Sequence, residues 1–395
     1  MPCSKIDTIC PDSGTTNAGR PNINPDPTAA YANMGWVGFV RIDSDKLSTH
    51  TFLRVTSCDI KLSQEITKPD VIDGRIDPTV YQLGPKIIEG TLSMPIIADT
   101  DTPGSWTSGS CPNVTDLRSL ATGTLNSLWC WATARDAMGR LAYDDVSLDV
   151  RYANHAGFKY DQCVANTYSM KVTQGDMISL DLGVYGRGRT QSAQTGSSFI
   201  YAQYPEMADF LSPARVLTWN DVTINGIGGC GMNGEALFYS NQIRDFSMEI
   251  ANNADRFYTL CGSLFPIDIN VGKREITGSM TLMGLQDKLR VLAETNQDRF
   301  TEKNEIRIVY YIGSDTYTPS SGGFTSRDWT GDTDAPNSND AIWYKKLTAV
   351  VFNIEEMSLT NEVFETTVKW HAMASDQACY QAFVPSSSPN FPAWE

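Results

Sequence analysis

Residues 55–62 read VTSCDIKL and residues 84–94 read GPKIIEGTLSM; residues 243–250 read IRDFSMEI and residues 272–282 read GKREITGSMTL. Both segments recur 188 positions further on, so the stretch between them has equal length in each copy. Gly84 falls on Gly272, Lys86 on Arg274, Ile88 on Ile276, Gly90 on Gly278 and Thr91 on Ser279. Every segment alternates with the two-residue period of a strand. Thr56, Cys58, Ile60 and Leu62 share one face, with Ser57, Asp59 and Lys61 on the other. Ile88, Gly90, Leu92 and Met94 oppose Glu89, Thr91 and Ser93. In the second copy Arg244, Phe246, Met248 and Ile250 oppose Asp245, Ser247 and Glu249, and Gly278, Met280 and Leu282 oppose Thr277, Ser279 and Thr281. Antiparallel hairpins with one apolar and one wet side have this signature.

A second echo follows downstream. YDQCVANTYSMKVTQGDMISLDLGVYG (160–186) resembles YKKLTAVVFNIEEMSLTNEVFETTVKWHA (344–372), with a small length change near the turn. The spacing predicts hairpins over 164–173 with 177–185 and over 347–357 with 362–371. Between the two hairpins of each unit one helix is expected. Asn113 with Asp116 resembles a capping pair, and Leu117, Ala121, Leu128 and Trp131 keep helical spacing. Leu285, Leu289 and Leu292 do the same in the second copy. The chain therefore divides into an arm (1–34), a β unit (35–186), a linker (187–213), a second β unit (214–380) with a polar insertion (313–340), and a tail (381–395). The fold class is mainly β, with one short helix per unit.

Composition narrows the function. The 395 residues carry a formal charge of −15, which disfavours a surface built to grip phosphate. No apolar run is long enough to span a membrane as a helix. The opening MPCSKIDTICPDSG lacks a basic region and an apolar core, so no secretory signal is expected and synthesis in a cytoplasm follows. Nine cysteines without a CxxC and only three histidines give no metal or redox motif, so no cofactor is expected.

The hairpin–helix–hairpin unit with a polar sheet face resembles the tail tube proteins of long-tailed bacteriophages, over roughly 300 residues. The residues that carry the likeness are Ser57–Leu62, Gly90-Thr91-Leu92-Ser93-Met94, Tyr168-Ser169-Met170 and Leu180-Asp181-Leu182. In copy two they are Asp245–Ile250, Gly278–Leu282, Phe352-Asn353-Ile354 and Phe364–Trp370. The segment from Arg215 to Val222 resembles the lead-in strand of such a domain. The resemblance implies sandwich or barrel domains whose hairpins close into an inter-subunit β-barrel. Two tandem tube domains imply trimeric, pseudo-sixfold rings, stacked into a virion tail tube that conducts the genome.

The implied partners are copies of the chain itself, a sheath if the tail contracts, the tape measure, the baseplate and the tail terminator. DNA would pass through the lumen without specific binding, and no membrane is involved. The expected lumen-facing residues are Ser57, Asp59, Lys61, Glu89, Thr91, Ser93, Asp181, Asp245, Ser247, Glu249, Thr277, Ser279, Thr281, Glu365, Thr367 and Lys369. A wall of hydroxyls and carboxylates repels phosphate rather than holding it. Cys3 and Cys10, in the arm, are candidates for cross-links between subunits. Rival readings are a baseplate hub or tube-capping protein, an injection-system tube and, from another class, a carbohydrate-binding or hydrolase β-sandwich.

Other motifs have plainer readings. Gly226 to Gly231 matches GxGxxG but lacks the βαβ context of a dinucleotide site, so a loop is expected. Asp144-Asp145 and Glu355-Glu356 are pairs typical of an acidic chain. Asn113-Val114-Thr115 carries no weight as a glycosylation acceptor without a secretory route. His50, His155 and His371 have no partner context for a nucleophile, and His371 beside Trp370 reads as structural. Trp129 and Trp131 are expected in the core, Cys58 as a small packed residue, and Cys130 as inert.

Overall fold

The computed structural model describes residues 36–41, 50–53, 55–67, 82–99, 128–129, 131–133, 146–152, 156–192, 214–228, 236–260, 263–284, 287–294, 304–311, 341–359 and 364–372. The arm with Cys3 and Cys10, the Asn113–Asp116 capping pair, Leu117, Ala121, Cys130, Asp144-Asp145, His155, Leu285, the 313–340 insertion and the 381–395 tail lie outside the described residues.

The first half contributes β1 (Trp36–Arg41), β2 (His50–Leu53), β3 (Ser57–Cys58), β4 (Lys61–Thr67), β5 (Gln82–Pro95), β6 (Ile97–Asp99), β7 (Val146–Tyr152), β8 (Ala156–Thr173), β9 (Ser179–Gly186) and β10 (Gly188–Ser192). Residues 128–129 and 131–133 are helical. The second half contributes β11 (Ala214–Val216), β12 (Val222–Ile227), β13 (Ala236–Phe238), β14 (Ile243–Ala251), β15 (Ala254–Phe257), β16 (Asp268–Val271) and β17 (Glu275–Met283). Then follow helix α1 (Asp287–Glu294), β18 (Glu305–Tyr311), β19 (Ala341–Thr348), β20 (Val350–Leu359) and β21 (Phe364–Ala372). The mainly-β expectation holds.

The alternating segments pair as hairpins, and their registers correspond. Cys58 lies opposite Leu92 and Leu62 opposite Ile88; 188 residues on, Phe246 lies opposite Met280 and Ile250 opposite Ile276. The outer hairpins follow suit. Leu92 meets Leu182, which meets Tyr168, as Met280 meets Val368, which meets Ile354. Each half thus builds four antiparallel strands in one order, β4-β5-β9-β8 and β14-β17-β21-β20. Strand β8 then pairs with β14, from Asp245 opposite Thr173 to Ala251 opposite Thr167, and fuses the halves into one sheet.

A second layer covers the apolar side. It is formed by β2-β1-β7 with the first part of β8 in one half, and by β13-β12-β18-β19 in the other. The chain crosses between layers at the same place in both halves. Gln162 within β8 has φ 51 and Ala349 between β19 and β20 has φ 53, left-handed backbone that turns a corner. Large rings fill the space between layers: Phe246 stacks on Trp370, Tyr310 on Trp343, and Phe238 meets Phe352 edge-on. Trp129 and Trp131 are buried as expected; Trp129 packs edge-on against Tyr168 and Trp343.

Three local readings differ. The stretch read as a linker begins with β10, paired with β8 from Gly188 opposite Asp161 to Ser192 opposite Gly157. The lead-in segment is broken by a 3-10 turn at Trp219–Asp221, because the Asp221 carboxylate accepts from the Thr218 N–H at 2.9 Å and hydroxyl at 3.1 Å. The GxGxxG motif starts inside β12 rather than in a loop, and Gly226 is there because the Phe238 ring occupies the place of a Cβ.

Gly278 makes the same kind of demand. A Cβ on it would lie 2.2 Å from both the Ser247 carbonyl oxygen and the Trp370 ring; on the corresponding Gly90 it would lie 2.4 Å from the Ile60 Cα. Gly278→Ala is expected to cost about 1–3 kcal/mol through overpacking. Thermal or denaturant unfolding checks this, and an unchanged midpoint would contradict it.

Candidate functional site

Direct partners in a sheet point to the same side, so the registers locate every polar side chain of the fused sheet. Ser57, Ser93, Asp181, Ser169, Glu249, Thr277 and His371 stand in one row across seven strands. Lys171, Ser247, Ser279, Lys369 and Asn353 form the next row, and Thr173, Asp245, Thr281 and Thr367 the one after. Glu365 lies beyond, opposite Met283. Towards the other end Lys61 pairs with Glu89 and Thr91 with Gly183, and the Asp59 carboxylate accepts from the Thr91 N–H. These residues share one surface of the sheet, continuous from β4 to β21 across both halves.

The two sides of the sheet contrast sharply. Ile60, Ile88, Leu92, Met170, Leu182, Phe246, Met248, Ile250, Met280 and Val368 are 0–2% exposed beneath it. The residues on top are half-buried or exposed, with Asp59, Lys61, Thr91, Glu249 and Lys369 open to solvent. Hydroxyls bond across the strands, as Ser247 Oγ and Ser279 Oγ do at 2.8 Å.

Carboxylates slightly outnumber cations on this face. Asp59, Glu89, Asp181, Asp245, Glu249 and Glu365 stand among Lys61, Lys171 and Lys369. Arg244 was expected on the apolar side. A register shift between Ile243 and Asp245 leaves it exposed, where it binds Glu365 and lies 3.8 Å from Asp245. At the opposite end Arg256 reaches Glu89 at 2.9 Å and lies over the Tyr185 ring. Among the described residues, Asp181 and Glu249 in the central row have no ion-pair partner. Carboxylates so placed raise a negative potential over the face, which disfavours phosphate.

Sequence reasoning missed several members of the surface. Ser169 and Lys171 lie on it, and the alternation within 160–186 carries that signal. His371 is exposed on it opposite Thr277 rather than packed. The β15–β16 hairpin was missed as well. It lies over the end of β5, where the Lys86 N–H donates to the Leu264 carbonyl at 2.7 Å, the Tyr258 hydroxyl donates to the Lys86 carbonyl at 3.1 Å, and Arg187 binds the Ile267 carbonyl. No local pattern announces this hairpin, because its partners belong to the other half of the chain.

The site is thus an extended polar surface rather than a cleft. Among the described residues no three His, Cys, Asp or Glu side chains come together as metal ligands, and no helix is long and apolar enough to cross a membrane. A family model of phage tail tube proteins matches residues 117–342, more than half of the chain. The chain belongs to the phage tail tube protein family. No curated protein matches it.

The matched stretch of this tail tube protein runs through β8, across the β8–β14 junction and into β19. Membership makes the chain a structural component of the virion that assembles with itself and with other tail parts. The junction is held by more than the backbone ladder. The fully buried Asn252 donates to the Ala132 carbonyl at 2.8 Å and to the Ala165 carbonyl at 2.7 Å. The helical segment of one half is thereby fastened to the first strand pair of the other.

The cysteines of the sheet lie on its apolar side. Burial raises the Cys58 thiol above its ordinary pKa and the Cys163 thiol further still. Thiolate is the reactive form, so at pH 8 both should alkylate roughly tenfold or more slowly in the native protein than after unfolding. Peptide mapping after a timed iodoacetamide pulse reads this out; fast native labelling of Cys163 would contradict the packing described.

Proposed function

We propose that this chain is the repeating subunit of a phage tail tube and carries two tandem tube domains, residues 35–186 and 214–380. Three copies form a ring with pseudo-sixfold symmetry, and rings stack along the axis into a hollow tube. The polar face lines the channel, and the genome slides along it during ejection without being held. The observation that carries this reading is the single continuous sheet to which both halves contribute four strands in the same order and register.

A sheet with one wet face and two open edges invites pairing with further strands, and closure into a barrel removes the edges. With an acidic, hydroxyl-rich face turned inwards, DNA meets repulsion and weak neutral contacts instead of a basic groove. The subunit has no catalytic task and needs no cofactor. Its partners are copies of itself, the tape measure, the baseplate, the tail terminator and, in a contractile tail, a sheath. The protein is made in the host cytoplasm and ends in the virion tail.

Purified protein should form rings or tubes in negative stain, and native mass spectrometry should find three chains per ring. A monodisperse monomer at high concentration would overturn the proposal. Rings of six chains would overturn its two-domain part.

A further inference from the structure

Within one chain the last strand of the first four-strand set pairs with the first strand of the second set. Two strands occupy the same places at the outer ends of the sheet. Among the described residues β4 pairs only with β5, and β20 only with β21.

The register of the outer contact follows by transfer. Residues of β14 map onto β3–β4 by subtracting 188, since Phe246 opposite Met280 becomes Cys58 opposite Leu92, and Ile250 opposite Ile276 becomes Leu62 opposite Ile88. Residues of β8 map onto β20 through their partners in β9 and β21. Tyr168 faces Leu182 as Ile354 faces Val368; beyond a register shift that leaves Glu355 extra in β20, Ser169 faces Asp181 as Glu356 faces Thr367, Met170 faces Leu180 as Met357 faces Thr366, and Lys171 faces Ser179 as Ser358 faces Glu365. One further step takes Val172 to Leu359.

Resting on the tail tube reading above, we propose that β20 of one copy pairs antiparallel with β3–β4 of a second copy, with Lys61 opposite Glu356. The internal pairs Phe246–Val172, Met248–Met170, Glu249–Ser169 and Ile250–Tyr168 become Cys58–Leu359, Ile60–Met357, Lys61–Glu356 and Leu62–Ile354 between chains. The transferred register keeps apolar residues opposite apolar ones: Cys58, Ile60 and Leu62 continue the packed side of the sheet. It also sets a lysine against a glutamate where the internal junction has Glu249 against Ser169. A slip of one residue would turn every side chain to the wrong face. A slip of two would separate the opposite charges. The pair is therefore a register lock that operates only between chains.

Two experiments on the full-length protein test this. Native Cys58 together with Leu359→Cys should oxidise to chain-linked oligomers on non-reducing gels, because directly opposed strand residues fall within disulfide reach. Met357→Cys, two residues off register, should cross-link at least about fivefold less. Lys61→Glu and Glu356→Lys should each raise the protein concentration needed for rings by roughly fivefold or more, since like charges directly opposite destabilise a pair. The double exchange should assemble better than either single variant, although the Lys61→Glu carboxylate still faces Glu89 within the chain. Equal cross-linking at both positions, or a double variant no better than the singles, would overturn the register. If wild-type rings still form in that case, the tube reading stands; if wild-type protein forms no rings, the tube reading itself fails.

Discussion

The backbone ladder between β8 and β14 is the contact on which the rest of the molecule depends. Without it each half would present a four-stranded sheet with two open edges, a form prone to uncontrolled pairing. With it, Val172, Met170 and Tyr168 lie directly opposite Phe246, Met248 and Ile250, and all six are buried in one apolar core. The same ladder places Ser169 beside Glu249 and Lys171 beside Ser247 on the solvent side. One set of hydrogen bonds thus fixes both the core and the polar surface. Asn252, which holds the Ala132 and Ala165 carbonyls, reinforces the ladder where an unmatched buried polar group would be costly.

The two faces place opposite demands on the sequence. Beneath the sheet, the second layer requires large interlocking groups, met by Trp343, Trp370, Tyr310, Phe238 and Phe352. Above it stand short hydroxyls and carboxylates, half-buried or exposed among the described residues. Burial explains the first set; the second needs a functional explanation. The DNA channel proposed above supplies one, because clustered carboxylates raise the local negative potential. The three lysines, with Arg244 and Arg256, leave only a small negative excess.

Much of this was legible in the residue pattern. The alternation around Ile60, Ile88, Met248 and Met280 set which side is wet. The constant spacing of 188 implied that the stretch between the paired segments has equal length in both halves. What remained hidden depends on long-range contact. The segment around Arg256 looks like any polar loop, yet it folds as β15–β16 because Glu89, Tyr185 and Lys86 from the other half receive it. The Gly188–Ser192 strand forms because β8 offers it an edge. The corners at Gln162 and Ala349 use left-handed backbone at residues that carry no sequence signal for it. Arg244 follows the strand period in sequence but is turned outward by a register shift.

The use of the sheet in the assembled particle is the decisive point. A cryo-EM reconstruction of the tube should show an inner wall of twenty-four strands, eight from each of three chains, with Asp181 and Glu249 facing the channel. A reconstruction in which that face points outward, or in which only one half of each chain reaches the inner wall, would contradict it.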